Sequence, residues 1–271
     1  MASPAVNVIR SDGSLAFQKR LQSRANTILD FSGATGLRFY SEKKFFKKLK
    51  KNLMSVKPGI TFLGPGDFHH LSLCFLEKIT QTPVLVLFDH HSDMQSSPEG
   101  FVTCGSWVGL ALSEDKVKRC IIVGVSSKDE ALFKSPIREK VIFLPEEIPH
   151  EKKVTGIIRE LVKTGGPVYI SIDKDVLAKK DAQTNWDQGR MSLEELLDIL
   201  EAIGNVAPVV GADVCGEWRV PGDPVLITCD DMEKASVNER ANLKILEKLL
   251  EVWQKDKKNS KISLYKSVVR G

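Results

Sequence analysis

Four of the five histidines stand in two adjacent pairs, His69–His70 and His90–His91, and aspartate flanks each pair. The second pair lies in Asp89-His90-His91-Ser92-Asp93; the first follows Gly64-Pro65-Gly66-Asp67-Phe68. A third acidic run reads Ser171-Ile172-Asp173-Lys174-Asp175. On an extended segment residues i and i+2 point to the same side, so Asp89, His91 and Asp93 share a side, as do Asp173 and Asp175. Four carboxylates and two imidazoles brought together would repel without a cation among them. They are more ligands than one divalent ion ordinarily takes from protein, and they suit two ions bridged by carboxylates. Oxygen-rich ligands with some imidazole and no thiolate favour Mn2+ over Zn2+. Iron, cobalt, nickel and zinc stay compatible with the set.

Each piece also has an ordinary explanation. An aspartate at a strand end often caps a helix or closes a turn. That explanation serves a single Asp-x-Asp and strains when three such runs each follow a strand.

The elements that must position these residues are legible as short apolar runs. Residues 60–64 (ITFLG), 83–89 (PVLVLFD), 120–125 (CIIVGV), 141–144 (VIFL), 167–173 (PVYISID) and 207–213 (APVVGAD) are nearly continuous in apolar residues. That pattern predicts strands of a parallel sheet covered on both faces. Segments 70–80, 192–203 and 237–253 have helical spacing, and Ser192 with Glu195 forms a capping box. Alternating β and α units predict an α/β domain with right-handed crossovers. Such sheets bind ligands beyond the carboxyl ends of their strands, where all three acidic runs fall. Residues 43–51 (KKFFKKLKK) read as an amphipathic surface helix, with an anionic-surface patch as the alternative.

Composition narrows the remaining classes. With 39 Lys+Arg against 35 Asp+Glu, the charge balance does not call for nucleic acid. No apolar run reaches the roughly 18–20 residues of a membrane span, and the opening residues lack the apolar core of a signal peptide. Five cysteines without a C-x-x-C spacing suggest reduced thiols and a cytoplasmic protein.

The three acidic runs, in this order and after strands, resemble the arginase/ureohydrolase superfamily of arginase, agmatinase and formiminoglutamase. That family carries G-G-D-H, D-A-H-x-D and S-x-D-x-D segments, which here read GPGDFHH, DHHSD and SIDKD. The resemblance spans about residues 59–250. It implies an α/β fold, a three-layer α/β/α sandwich around a mostly parallel sheet of about eight strands. It also implies one arginase-like domain over 1–271, with 1–58 divergent. By the same resemblance His69 and Asp93 would hold one Mn2+, His91 and Asp175 the other, and Asp89 and Asp173 would bridge them. Phe68 stands where the family has Asp, so an ungapped match selects His69 and a one-residue shift selects His70. His90 takes the place of a small residue and is expected to point away.

The implied reaction is hydrolysis of a linear, non-peptide C–N bond in a guanidino, amidine or small amide substrate. A metal-bridging hydroxide would attack, with Asp93 accepting its hydrogen bond. Departures bear on the substrate. Residues 101–109 lack the family's proton-shuttle histidine, and Cys104 and Ser106 lie nearest. In NWDQGRMS (185–192), Gln188 stands where guanidino hydrolases have a glutamate. A neutral amide cannot pair with a guanidinium, so Asp187 or Glu217 is the expected replacement and free arginine is not the expected substrate. Trp107, Trp186 and Trp218 lie in the same rim loops and could form an aromatic wall. Cys104 as a covalent nucleophile is weighed against a structural thiol. The alternatives are a metal-dependent deacylase of acylated amines and a non-catalytic metal-binding member of the fold. The expected partner is a small-molecule substrate, with no nucleic acid and no membrane; a homo-oligomer is compatible.

Overall fold

A computed structural model describes residues 4–130, 137–221 and 223–254. In chain order its strands are β1 (Ala5–Arg10), β2 (Thr27–Asp30), β3 (Tyr40–Glu42), β4 (Gly59–Gly64) and β5 (Val84–Phe88). Then follow β6 (Phe101–Thr103), β7 (Arg119–Val123), β8 (Val141–Leu144), β9 (Val168–Asp173) and β10 (Val209–Cys215). Eight of them form one sheet in the order β2-β1-β4-β10-β9-β5-β7-β8. Every neighbouring pair in it is parallel. The six runs expected as strands are all present.

The sheet is covered on both faces because its strands alternate between two cores. Val84, Val86 and Phe88 face one side; Leu85 and Leu87 face the other. The first core is closed by α5 (His150–Thr164), α6 (Leu193–Val206) and α7 (Cys229–Gln254), which contribute Ile157, Leu196, Ile203 and Leu246. The second is closed by α2 (Lys43–Leu53), α3 (Ser72–Leu76) and α4 (Trp107–Ser113). A short α1 (Lys19–Gln22) packs against α7. The result is the expected three-layer α/β/α sandwich.

Local sequence accounts for several of these elements. In α2, Phe46, Leu49 and Leu53 are buried while Lys47, Lys48 and Lys51 face outward, as expected of an amphipathic surface helix; Lys50 is half-buried and pairs with Glu77. At the start of α6, Ser192 Oγ accepts from the Glu195 N–H at 3.1 Å and Glu195 returns the bond to the Ser192 N–H at 2.8 Å. The helix expected over 70–80 is shorter: a 3-10 turn covers Gly66–Leu71 and only Ser72–Leu76 is α-helical. Successive residues of a 3-10 turn diverge by about 120°, which sends His69 and His70 in different directions.

Two strands and a small sheet were not anticipated. β1 carries a buried polar residue, Asn7, whose amide donates to the Lys57 carbonyl at 3.0 Å. β2 is a half-exposed edge strand. β3 and β6 pair antiparallel as a separate two-stranded ribbon beside the main sheet. No described helix is long and apolar enough to cross a membrane.

Candidate metal centre

The acidic and imidazole side chains come from the carboxyl ends of β4, β9 and β5, with β10 between β4 and β9. His69 lies in the 3-10 turn after β4, Asp89 to Asp93 directly after β5, and Asp173 ends β9 with Asp175 in the following turn. Two glycines clear the space around Asp173. A Cβ on Gly66 would lie 2.6 Å from Asp173 Oδ2, and one on Gly216 would lie 2.4 Å from Oδ1. Gly216 also has φ of 82°, which a side chain would strain.

Asp89 sits between two imidazoles. Its Oδ2 is 3.3 Å from His69 Nδ1 and its Oδ1 is 3.5 Å from His91 Nδ1. His69 Nδ1 is also 3.0 Å from Asp93 Oδ2 and 3.7 Å from Asp173 Oδ2. His91 Nδ1 is 2.8 Å from Asp175 Oδ2. The donor atoms of His69, Asp89 and Asp93 therefore converge within 4.8 Å, and so do those of Asp89, His91 and Asp175. Asp173 belongs to a third such group with His69 and Cys215. All six expected ligand residues thus meet in one place.

The sulfur lies outside the carboxylate and imidazole set that the sequence spacing predicts. Cys215 Sγ donates to Asp173 Oδ2 at 3.2 Å because Cys215 and Asp173 are register partners at the ends of β10 and β9.

The paired histidines point to different surroundings. His70 turns away, lying 3.1 Å from Ser41 Oγ through Nε2 and 5.9 Å from the Phe46 ring. Burial, with the neighbouring His69 charge, lowers it to about 3, so it stays neutral. His90 likewise points aside, packed edge-on against the His91 ring at 5.6 Å.

Electrostatics describe a site short of positive charge. Burial pushes Asp173 up to about 6, with Asp175 adding to it. Burial and the Asp89 charge do the same to Asp175, also to about 6. Asp89 and Asp93 are raised as well, by burial first. Burial works against the charged form of His69, yet Cys215 and the Asp89 and Asp93 carboxylates outweigh it and hold the imidazole well above its ordinary value. Burial opposes the His91 cation too, and is outweighed by Asp175 and Asp89. Protons are retained where the arrangement offers room for cations, and the donor set fits divalent metal.

The far nitrogens of both imidazoles are held in turn. His69 Nε2 is 2.8 Å from Ser171 Oγ, which donates to Asp213 Oδ1 at 2.7 Å; Tyr169 OH donates to Asp213 Oδ2 at 2.7 Å. His91 Nε2 is 2.9 Å from Asp187 Oδ1. Such contacts fix ring orientation and leave Nδ1 for a ligand. Tyr169, Ser171 and Asp173 share one side of β9 by the period of two, which was the available signal for Ser171.

The other residues singled out in the sequence separate into three places. A cavity of about 320 Å³ opens over the cluster, and Trp186 and Cys104 line it together with Phe39 and Tyr40. Asp187 stays exposed at the rim beside His91. The rest do not reach the cavity. Trp107 is fully buried beneath the cluster, donating to Asp93 Oδ2 at 2.6 Å. Trp218 donates to Asp231 at 2.8 Å, with Lys234 Nζ 3.6 Å from its ring centroid. Gln188 spends its amide N–H groups on the Leu177 and Ala182 carbonyls at 3.0 and 3.1 Å, and its oxygen accepts from Thr184 N–H. Glu217 is buried in an ion pair with Lys174 and accepts from Asn242 and Gln18, each at 2.6 Å. Gln188 and Glu217 are therefore committed to the scaffold, not to substrate. Cys104 is a poor nucleophile here: burial, with Asp93 and Asp67 nearby, pushes its thiol up to about 12.

Comparison with known proteins agrees with this arrangement. The family model described as Arginase family matches residues 20–217. This chain belongs to the arginase family. An uncharacterized protein of Thermotoga maritima is 33% identical over 251 residues, which is 92% of this chain and 91% of that protein. Among solved structures, the agmatine ureohydrolase of Thermoplasma volcanium aligns with a TM-score of 0.65 at 17% identity, covering 93% of this chain and 91% of the other. The Trypanosoma cruzi formiminoglutamase with Mn2+ aligns at 0.64 and 14% identity, covering 91% and 94%. At these identities the structural likeness speaks for the fold.

Proposed function

We propose that this protein is a metal-dependent hydrolase of linear, non-peptide C–N bonds. Its substrate is a small molecule bearing a guanidino, amidine or small amide group. The observation that carries the reading is Asp89, one oxygen toward His69 and the other toward His91. His69, Asp93, Asp89 and Asp173 would hold one divalent cation, and His91, Asp175 and Asp89 the second, with Mn2+ the first choice on ligand chemistry; Asp173, expected from the sequence to serve both, groups with His69 and not with His91. Bound there, two cations would supply Lewis acidity, activating water near neutral pH and polarising the group under attack.

The chain's own groups supply the rest. Asp93 accepts a proton at its carboxylate and returns it to the leaving amine. Trp107 fixes the orientation of Asp93. Asp187 accepts from His91 Nε2 and so holds the tautomer that presents Nδ1. Residues before position 59 belong to the same working unit, since Phe39 and Tyr40 line the cavity.

Metal content per chain, followed by a screen of guanidino, amidine and amide compounds for released urea, ammonia or amine, tests the proposal. Two cations per chain with C–N cleavage is the expected result. A chain that binds no divalent metal, or one that is fully loaded and cleaves nothing in such a screen, overturns it.

A further inference from the structure

We propose that the mouth of this cavity selects substrates whose non-reacting end is flat and uncharged, an aryl or heteroaryl group rather than an ammonium or an amino-acid tail. This inference rests on the hydrolase reading for the reacting end only. Three large apolar side chains are left exposed at one opening: Phe39 at 37%, Tyr40 at 55% and Trp186 at 37%. All three line the cavity above the cluster. Exposed apolar surface gathered at a cleft is the usual mark of a binding face.

The wall is also held in place. Trp186 Nε1 donates to Asp67 Oδ1 at 2.9 Å, and the Phe39 N–H donates to the Asp67 carbonyl at 2.8 Å. Asp67 is itself buried, two positions before His69. Trp186 and Phe39 meet edge to face at 6.1 Å, and Trp186 meets His91 in the same manner at 5.6 Å. Phe39 has φ of 64°, an outlier for a bulky residue, and the antiparallel β3–β6 ribbon keeps Tyr40 opposite Thr103. Strain of this kind collects at ligand sites.

Charge decides the class of tail. The acidic residues lining the cavity are the four carboxylates of the cluster, and no lysine or arginine lines it among the described residues. The remaining polar lining groups, such as Gln95, Ser96 and Thr103, are neutral. The charged groups nearest the mouth are already engaged, Asp187 by His91 Nε2 at 2.9 Å and Arg38 by Asp67 at 2.7 Å, so an ammonium or a carboxylate buried there would lose its hydration without a free counter-charge. An aromatic cage for a cation is disfavoured as well, since the Arg38 guanidinium already lies 4.2 Å from the Phe39 ring centroid and is paired with Asp67 at 2.7 Å.

The test compares benzylguanidine, guanidinium and arginine by calorimetric titration of the Mn2+-loaded protein. Benzylguanidine should bind at least about tenfold more tightly than either of the others, and Trp186→Ala should erase that preference. Trp186→Phe, which keeps a ring, should retain most of it, and metal stoichiometry should be the same in all three proteins. Arginine binding as tightly as benzylguanidine, or a preference untouched by Trp186→Ala, overturns the proposal. A second arm does not depend on metal: benzyl alcohol added to the metal-free protein should shift the Trp186 indole and Phe39 and Tyr40 amide NMR signals. Absence of those shifts overturns the wall even where the hydrolase reading stands, whereas shifts in a protein that binds no metal keep the wall and remove the hydrolase.

Discussion

Trp107 places its indole nitrogen 2.6 Å from Asp93 Oδ2 while its ring lies 4.9 Å from the His69 imidazole. One buried side chain thus sets both partners of a candidate metal position. Trp107→Phe keeps the packed ring and deletes the donor. Metal affinity should fall by about 10–100-fold, with stability lowered by roughly 1–3 kcal/mol. Isothermal titration with Mn2+ reads the first and urea unfolding the second. An unchanged affinity would show that Asp93 does not depend on this bond.

Asp89→Asn removes the carboxylate that the two imidazoles share. The variant should lose bound metal and C–N hydrolysis together, and Asp173→Asn should do the same. Elemental analysis of the purified variants is decisive: full loading of both contradicts the assignment.

Lys174 is fully buried between Asp173 and Asp175 in sequence, and its ammonium pairs with Glu217 and donates to Asn242 Oδ1 at 2.8 Å. Breaking a buried pair strands a charge, so Lys174→Met or Glu217→Gln alone should cost about 3–5 kcal/mol of folding stability. The double variant Lys174→Met/Glu217→Gln should cost less than the sum of its parts. Denaturant titration of the three proteins measures this, and strict additivity would refute the pairing.

Asp12, just past β1, has its carboxyl pushed up from 3.8 to about 6 by burial, which outweighs the two bonds it accepts from Ser14. Between those values the folded chain keeps a proton that the unfolded chain releases, so this group lowers stability as pH rises and its effect is constant above about 6. Asp12→Asn removes the dependence. Its stability relative to the parent should improve from pH 4 to pH 6 by at most about 3 kcal/mol and change little from pH 7 to pH 8. Melting temperatures of both proteins across that range check the sign; a relative gain toward acid pH would reverse it.

Continuous apolar runs were enough to locate β4, β5 and β7 to β10, because strands buried on both faces leave no polar interruption. β1 is interrupted by Asn7 at its centre, whose amide finds its partners in the Lys57 carbonyl and the Thr61 hydroxyl, 50 and 54 positions away. The ribbon of β3 and β6 has three residues in each strand, too few for a period to register. At the site, the Asp and His runs were legible because their spacing is local. Cys215 and Ser171 entered through register and through a neighbouring strand. Gln188 and Glu217 looked available because composition cannot show that the Leu177 and Ala182 carbonyls face one, or that Lys174 and Asn242 face the other.

Asn242, in α7, donates to Gln18 Oε1 at 2.8 Å and to Glu217 Oε1 at 2.6 Å, so side chains 224 positions apart meet around one carboxylate. The turn bearing Asp173 and Asp175 is anchored to that knot through Lys174. During synthesis a nascent chain therefore cannot complete this anchor until α7 has left the ribosome, however early the strands have paired. Long-separation closure of this kind makes folding slow.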